Sequence, residues 1–294
     1  MTMPHLDGPT VKISNGATTA EINLANGQLF SLVRDGKELM WRGGAPEPAR
    51  PKSGWQNSEI IMFPIVGAAA GGRISIDGKP YPMAQHGIAR DLSWESTWTW
   101  NRITLVQQYD AGSTVERRDA SGKNVTDAGG NDVVSSYPRS YILTKSYSIG
   151  EDGKLRIRIE IENLSDEPMD YAMGWHPAFV APDAGTITPS ADGGTTLSLN
   201  QVRATNMHVV AADVSDTITY RIAGAVLKLK HNFGRAQFWD EGKGYVALEP
   251  ITAPSLSRLG DGPEIDLSSV GYRTLLRGQK ETFEAEIEVQ AAAD

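Results

Sequence analysis

Leu155-Arg-Ile-Arg-Ile-Glu-Ile-Glu162 decides the fold class, because its side chains alternate strictly between apolar and charged. A period of two residues is typical of a β-strand, whose successive side chains point to opposite faces of the sheet. Leu and Ile on one face and Arg and Glu on the other predict a sheet that is buried on one side only. The same alternation returns near the C-terminus at Phe283, Ala285, Ile287 and Val289.

The period-two pattern recurs across the rest of the chain. Ile103, Leu105, Gln107 and Tyr109 share one parity, which predicts a strand with one buried face. Trp94, Trp98 and Trp100 also share one parity, and we expect them to be buried in the same way. Further strands are predicted at residues 196–200, 217–222, 225–230, 235–239 and 244–249. No window predicts a helix of three turns.

Turn signals separate these runs. Asn26-Gly27, Asp35-Gly36 and Asp77-Gly78 lie between apolar segments and predict tight hairpins, because both central residues must tolerate a positive φ. Residues 43–58 predict a loop, and residues 110–135 predict a long exposed hairpin or flexible loop. Many short strands joined by turns predict an all-β protein, a sandwich of antiparallel sheets in a single domain over residues 1–294.

Composition narrows the class of function. The 294 residues are 40% hydrophobic and 22% charged, with a net charge of −8, which gives no basic surface for nucleic acid. There is no cysteine, so disulfides, thiolate metal sites and a thiol nucleophile are excluded. Residues 1–9 lack the basic start and apolar core of a signal peptide, and no apolar run reaches the roughly 20 residues that cross a membrane. We expect a cytoplasmic protein that binds neither membrane nor nucleic acid, and either a monomer or a homodimer.

Three stretches carry residues suited to chemistry. In the first, Gln85, His86 and Arg90 lie within six residues, directly after a predicted strand. Loops held by a rigid sheet often carry binding groups, and these side chains suit the recognition of hydroxyl groups or anions. A structural histidine would give the same local pattern.

The second stretch places His176 between Trp175 and Pro177. Proline restricts the residue before it to an extended backbone, which would hold the histidine in place. An aromatic ring beside a polar group suits a sugar, because a flat ring covers the apolar face of a pyranose. The alternative is a buried histidine bonded to a carbonyl group, with Trp175 in the core.

The third stretch ends an apolar run, Tyr245-Val-Ala-Leu248, with Glu249. A carboxylate at the end of a buried strand is costly unless it is paired or functional. Burial would raise its pKa and a nearby cationic histidine would lower it, so that Glu249 could act as a base near neutral pH. Asp240 is a weaker candidate, and both carboxylates could instead be structural.

Other signatures are missing from the sequence. The histidines show no metal-ligand spacing, and there is no phosphate-binding loop, so we expect no metal and no cofactor. There is no Gly-x-Ser-x-Gly motif that would indicate a serine hydrolase.

Six motifs follow one another in the order of a known family: Phe63-Pro-Ile-Val-Gly67, Asp77-Gly-Lys-Pro-Tyr81, Gln85-His-Gly-Ile-Ala-Arg-Asp91, Tyr137-Pro138, Gly174-Trp-His-Pro-Ala-Phe179 and Leu248-Glu-Pro250. With them the chain resembles the aldose 1-epimerase (galactose mutarotase-like) family, particularly its shorter bacterial members. The resemblance implies a large antiparallel β-supersandwich. It also implies a mutarotase, which interconverts the α and β anomers of an aldose without a metal or nucleotide.

The resemblance implies a role for each motif residue. His176 matches the general acid on the ring oxygen, and Glu249 matches the base on the anomeric hydroxyl. His86 matches a second histidine that binds the monosaccharide and assists the acid. Gln85, Arg90, Trp175 and Asp240 are taken as further substrate-binding residues.

The departures from the family concern the substrate. Members that act on free aldoses often carry an arginine where this chain has Ala68, and we take the nearby Arg73 as a binding residue instead. The hexose-6-phosphate branch uses a Gln and an Arg that match Gln85 and Arg90, but its Arg-Gly-Gly is replaced by Gln56-Asn-Ser58. An unphosphorylated aldose is therefore favoured. A hexose-6-phosphate mutarotase and a sugar-binding or regulatory protein without activity stay as alternatives. A lyase or a glycosidase ranks last; a glycosidase needs two carboxylates, and only Glu249 has a strong context.

Overall fold

A computed structural model describes residues 8–119, 123–182, 184–190, 194–205, 207–210, 216–256, 265–267 and 272–291. Within these residues almost all regular structure is β. The strands in chain order are β1 (Thr10–Asn15), β2 (Thr18–Asn23), β3 (Gln28–Arg34), β4 (Lys37–Glu38), β5 (Glu59–Met62), β6 (Arg73–Ile76), β7 (Lys79–Pro82), β8 (Glu95–Trp98), β9 (Arg102–Tyr109), β10 (Val115–Glu116), β11 (Val134–Ser135), β12 (Tyr141–Ile149), β13 (Leu155–Asn163), β14 (Met169–Tyr171), β15 (Gly174–Val180), β16 (Thr186–Pro189), β17 (Leu197–Ser198), β18 (Met207–Val210), β19 (Thr217–Ile222), β20 (Ala225–His231), β21 (Arg235–Trp239), β22 (Tyr245–Ile251), β23 (Ile265–Asp266), β24 (Arg273–Leu275) and β25 (Lys280–Ala291). Helix α1 spans Leu199–Thr205, and single 3₁₀ turns span Ala70–Gly72 and Ala89–Asp91.

The larger sheet has nine strands in the order β17-β16-β19-β20-β25-β13-β12-β9-β8, and every pairing in it is antiparallel. Strand β13, which is the stretch that decided the fold class, lies between β25 and β12. Its Leu and Ile side chains are buried, and its Arg and Glu side chains lie on the outer face. Ile157 is paired with Ala285 of β25, which confirms that the two alternating segments share one buried face.

The second sheet has five strands in the order β18-β21-β22-β15-β5. One of its faces packs on the nine-stranded sheet. There the buried Glu59 of β5 forms an ion pair of 3.0 Å with the buried Lys145 of β12. Its other face carries a smaller apolar cluster that includes Ile60, Met62 and Ile251. Two packed antiparallel sheets confirm the predicted all-β sandwich.

Smaller hairpins complete the described fold. Strands β1 to β4 form a four-stranded sheet, and β6, β7 and β23 form a three-stranded one. At the tips of two hairpins φ is positive at both central residues, 51° and 79° at Asp35-Gly36 and 52° and 70° at Asp77-Gly78. These are the conformations that a two-residue turn requires, so two of the three predicted tight hairpins are confirmed. At Asn26-Gly27 the strands β2 and β3 do pair, but four residues separate them and only Gly27 has a positive φ, 70°.

Two predictions are wrong in part. The segment with the three tryptophans does form a strand, β8, and Trp94 packs against the core, but Trp98 and Trp100 are 55% and 71% exposed. Strand β8 is the edge strand of the nine-stranded sheet, and Trp100 lies beyond its end. Residues 196–200 give only the short β17, after which the chain turns into α1. Ser198 and Gln201 form a capping box, in which the backbone N–H of Gln201 donates to Ser198 Oγ and that of Ser198 donates to Gln201 Oε1.

The described residues of 110–135 form an extended arm. Strand β10 pairs with β11, and bridges join Arg118 to Asn124 and Thr126 to Asp132 further out. Most of these residues are exposed. Elsewhere, no helix in the described ranges is long and apolar enough to span a membrane.

Candidate active site

A row of polar side chains crosses three neighbouring strands of the five-stranded sheet. The register that pairs Gly174 with Ile251 and Ala178 with Ala247 puts His176 of β15 opposite Glu249 of β22. Glu249 is paired in turn with Gln237 of β21. Side chains directly opposite one another in a sheet share a face, so these three project from the face that turns away from the nine-stranded sheet.

The three side chains meet. His176 Nε2 lies 3.4 Å from Glu249 Oε1, and Gln237 Nε2 donates a 2.5 Å hydrogen bond to Glu249 Oε2. His176 is 4% exposed and Glu249 is 1% exposed. Burial raises the pKa of Glu249 to about 8, against a smaller lowering by the hydrogen bond from Gln237. Burial and the nearby Arg90 lower the pKa of His176 to about 3.

These pKa values describe an acid and a base that share one proton at neutral pH. Burial favours the uncharged form of both groups, so at neutral pH the carboxyl of Glu249 is favoured in its protonated form and the imidazole of His176 in its neutral form. A carboxylate and an imidazole in this relation can take a proton from one atom and give a proton to another. That is the requirement for general acid–base catalysis.

His86 enters the site from a separate segment that is tied to the end of β5. The backbone N–H of His86 donates to Gly67 O at 2.8 Å, and the N–H of Ile88 donates to Phe63 O at 2.7 Å. His86 has φ 66° and Gly87 has φ 75°. A side chain at Gly87 would place its Cβ 2.2 Å from Phe63 O, so only glycine permits this close approach.

The ring of His86 is oriented by the backbone. The N–H of Gly67 donates to His86 Nδ1 at 3.1 Å, so neutral His86 carries its proton on Nε2. The ring centroid lies 5.6 Å from that of His176. Burial, followed by the charges of His176, Arg90 and Arg117, lowers the pKa of His86 well below its usual value. His86 is thus a neutral hydrogen-bond donor beside the acid–base pair.

A cavity of about 480 Å³ opens over these groups. Its lining residues are Trp55, Gly67, Gln85, His86, Arg90, His176, Gln237, Trp239, Glu241, Glu249 and Ser255. The ring of Trp55 lies 4.6 Å from His176 at an angle of 37°, and Trp239 meets Trp55 edge-on at 5.9 Å. Two half-buried indole rings therefore lie beside convergent polar groups, a combination that is typical of small-molecule sites.

Charged groups lie around the cavity. Arg90 Nε is 4.0 Å from Asp91 Oδ1, and burial together with Arg117 lowers the pKa of Arg90 to about 10. Glu241 Oε2 accepts hydrogen bonds from Lys243 Nζ at 2.7 Å and Tyr245 OH at 3.0 Å. The lining therefore presents both signs of charge.

The structure brings together five of the eight predicted site residues: Gln85, His86, Arg90, His176 and Glu249. The prediction that Trp175 binds the substrate is wrong. Strand alternation sends it to the opposite face from His176, where its indole N–H donates to buried Glu59 at 2.7 Å. It is a core residue and cannot cover a sugar.

Arg73 and Asp240 are also outside the cavity lining. Arg73 is an exposed residue at the start of the β6–β7 hairpin. Asp240 is 1% exposed but accepts from Arg203 Nε of α1 at 3.0 Å and from the backbone of Gly242 at 2.6 Å. Trp239, the last residue of β21, lines the cavity, whereas the side chain of Asp240 lies outside it. Asp240 instead holds α1 and the turn at Gly242 in place.

Sequence reasoning missed Trp55, Gln237 and Trp239. Gln237 had a usable signal, because a polar residue inside the apolar run Ala236-Gln-Phe238 is buried and needs a partner. Trp239 shares the parity of Gln237. Trp55 lies in the loop of residues 43–58, where no periodicity shows which side chains turn inward. Across the described residues, no group of three or more His, Asp or Glu side chains could hold a metal ion.

The sequence model of the aldose 1-epimerase family matches residues 9–222, which is most of the chain. The chain belongs to the aldose 1-epimerase family. The matched range contains His86 and His176 and ends before Glu249. No curated protein sequence matches the chain significantly.

Solved structures share the fold at low sequence identity. A galactose mutarotase-like protein from Lactobacillus casei is 20% identical, with a TM-score of 0.77 over 96% of this chain and 100% of its own. A galactose mutarotase related enzyme from Lactobacillus acidophilus is 17% identical, with a TM-score of 0.72 over 97% and 98%. A galactose 1-epimerase from Lactobacillus acidophilus NCFM is 12% identical, with a TM-score of 0.65 over 97% and 99%. These likenesses establish the galactose mutarotase-like β-sandwich.

Proposed function

We propose that the protein is a mutarotase that interconverts the α and β anomers of an aldose. The observation that carries the proposal is the pairing of His176 Nε2 with Glu249 Oε1 at 3.4 Å, inside a cavity of about 480 Å³. Mutarotation needs one group that removes a proton from the anomeric hydroxyl and another that protonates the ring oxygen. Family membership and the neighbouring indole rings point in the same direction.

The placement of these groups supports a reaction in two proton transfers. Glu249 takes the proton of the C1 hydroxyl, His176 gives a proton to the ring oxygen, and the bond between C1 and the ring oxygen breaks to leave an aldehyde. Rotation about the C1–C2 bond exposes the other face of the carbonyl group. The same two transfers in reverse close the ring, so no proton is gained or lost over the cycle. Each transfer contributes about 10²–10⁴-fold to the rate.

The pair must hold its proton on His176 when the ring opens, whereas the empty site favours Glu249. Sugar hydroxyls that donate to Glu249 would stabilise its charged form and lower its pKa. Nε2 and Oε1 already face each other, so transfer between them requires only a small approach of the two side chains. Gln237 holds the far oxygen of the carboxylate, and His86 is placed to donate from Nε2 to the sugar.

An unphosphorylated aldose is the favoured substrate. Glu241 lines the cavity, and its carboxylate, which is paired with Lys243 at 2.7 Å, offers a phosphate no favourable contact. Arg90 already faces Asp91, so part of its charge is compensated. Hexose 6-phosphate is the second candidate, because Gln85 and Arg90 both lie in the cavity wall.

The test is anomer exchange measured by saturation-transfer NMR at neutral pH. The panel contains glucose, galactose, xylose, arabinose and glucose 6-phosphate, and Glu249→Gln is the control. Acceleration that disappears in the control would confirm mutarotation, and the fastest sugar would identify the substrate class. Binding of a sugar by calorimetry with no acceleration of exchange would replace the proposal with a sugar-binding protein.

A further inference from the structure

The arm formed by residues 110–135 does not contribute a described residue to the cavity lining. It projects from the sheets as the paired strands β10 and β11, and the backbone N–H of Arg117 donates to Val133 O at 2.9 Å. Two side chains of the arm nevertheless reach toward the segment that carries His86: Ser135 Oγ accepts from the backbone N–H of Ala84 at 2.9 Å, and the side chain of Arg117 is only 12% exposed.

Arg117 reaches the segment that carries His86. Its Nη2 donates to Gln85 O at 2.7 Å and lies 3.4 Å from Gly87 O. Its Nε donates to Asp91 Oδ2 at 2.9 Å. One guanidinium group therefore binds the carbonyl groups on both sides of His86 and a carboxylate five residues further along.

These bonds act where the backbone most needs support. His86 has φ 66°, a left-handed conformation that is strained for a residue with a side chain and persists only where the surroundings enforce it. Gly87 follows at φ 75° and lies against Phe63. The planar fork of an arginine can hold several acceptors in fixed positions, whereas a lysine offers a single flexible ammonium group.

We propose that Arg117 is a positioning residue for His86: the arm of residues 110–135 uses its guanidinium group to hold the backbone on both sides of His86, so that the ring presents Nε2 to the substrate. The role in turnover rests on the proposed mutarotase function. The role in fixing the ring does not, since it is a property of the empty site.

The test compares three variants with the wild-type protein. Arg117→Ala removes the fork, Arg117→Lys keeps the charge without the fork, and Arg118→Ala is the matched control. Arg118 is adjacent on the same arm, and its Nη2 pairs with Glu116 at 2.9 Å. Two quantities are measured: kcat/KM for anomer exchange, scaled to the folded fraction, and the long-range ¹H–¹⁵N NMR signals of the His86 ring, assigned with His86→Asn.

We expect the wild-type ring to show a protonated Nε2 and an unprotonated Nδ1. In Arg117→Ala and Arg117→Lys we expect these signals to move toward a mixture of the two tautomers, as the contact with Gly67 loosens. We expect kcat/KM to fall by about 10- to 100-fold in Arg117→Ala, because a small misplacement of a binding group has effects of that size. Arg117→Lys should recover only part of the loss, and Arg118→Ala should match the wild type.

The outcomes separate the two proposals. Wild-type ring signals in both Arg117 variants would overturn the positioning role, whether or not the protein accelerates exchange. Full recovery by Arg117→Lys would overturn it too, because charge alone would then suffice. Disturbed ring signals in a protein that accelerates no sugar would sustain the positioning role while removing the mutarotase function. If Arg117→Ala does not fold, Arg117→Lys carries the test.

Discussion

His176 and Glu249 stand directly opposite each other on neighbouring strands, with Nε2 3.4 Å from Oε1, and the sheet register itself creates this contact. The pairing of β15 with β22, rather than the conformation of a loop, sets the relative position of the two side chains. Conservative substitutions should therefore change the chemistry of the pair without moving the strands.

The first prediction concerns the pH dependence of turnover. The reactive pair holds one proton, so kcat/KM should be bell-shaped, with a plateau that ends near pH 8 as Glu249 loses its proton. On the acid side, kcat/KM should fall below about pH 3, because His176 is then protonated while Glu249 keeps its own proton. Above pH 8 the rate should fall about tenfold per pH unit. A rate that instead rises through pH 8 would mean that Glu249 acts as a base without a protonated His176.

The second prediction is the effect of Glu249→Gln. This variant keeps the shape of the side chain and removes the base, so kcat should fall by about 10²–10⁴-fold while the fold is retained. His176→Asn should lose activity over a similar range. Anomer exchange by NMR and circular dichroism would measure both effects, and near-wild-type turnover in either variant would contradict the assigned roles.

The third prediction links Glu249 to stability. Its folded-state pKa of about 8 lies above the ordinary value of 4.5, so its contribution to stability is complete below about pH 4.5 and is lost as the pH rises through about 8. Glu249→Gln does not titrate. The variant should therefore gain free energy of unfolding relative to the wild type between about pH 5 and pH 8. Urea denaturation across this range measures the difference, and a gap that does not change with pH would show that Glu249 is not desolvated.

The fourth prediction concerns the indole of Trp55. Trp55→Ala removes the ring beside His176 and should weaken sugar binding by about tenfold, since an aromatic contact is worth about 0.5–1.5 kcal/mol beyond the area it buries. Trp98→Ala removes a tryptophan that is 55% exposed on the edge strand and should leave binding unchanged. Isothermal calorimetry measures both. Equal effects of the two substitutions on sugar binding would show that Trp55 is not part of the binding site.

The fifth prediction concerns Gly87. Gly87→Ala would place a Cβ against Phe63 O and should destabilise the protein by more than the roughly 1 kcal/mol that a positive φ alone costs. Gly78 has a similar φ of 70°, but nothing lies within 4 Å of its Cβ position, so Gly78→Ala measures the cost of φ by itself. Thermal and urea denaturation of the pair would give the difference. If the two variants are equally stable, the approach of Gly87 to Phe63 is not tight.

Much of the fold could be predicted because alternation is a local property. The alternation from Leu155 to Glu162 is enough to identify the buried face of that strand. Residues 217–222 and 235–239 form strands with the predicted bounds. Alternation does not reveal, however, which strands lie beside a given strand in the sheet. The parity of Trp98 and Trp100 looked like a buried face only because the sequence does not show that β8 is an edge strand. The capping box at Ser198 and Gln201 was visible, but a single short helix is a weak signal within a β-rich pattern.

The site was predictable where polar residues interrupt apolar strands or turns, as His176, Glu249 and His86 do. The contact between His176 and Glu249 was not, because it depends on the pairing of strands that are far apart in sequence. Trp175 shows the limit most clearly. It neighbours His176 in the chain, yet the pleat of β15 sends the two rings to opposite faces.

The ion pair of Glu59 and Lys145 links the sheet that carries the site to the sheet that lacks it. Neither charge is exposed by more than 2%, and the same carboxylate accepts from Tyr147 at 2.5 Å and from Trp175 at 2.7 Å. Removal of either partner would leave an uncompensated buried charge, so the pair disfavours any packing of the two sheets that separates Glu59 from Lys145. Glu59 also accepts from Trp175, the chain neighbour of His176, so the carboxylate that joins the two sheets also anchors the strand that carries the site.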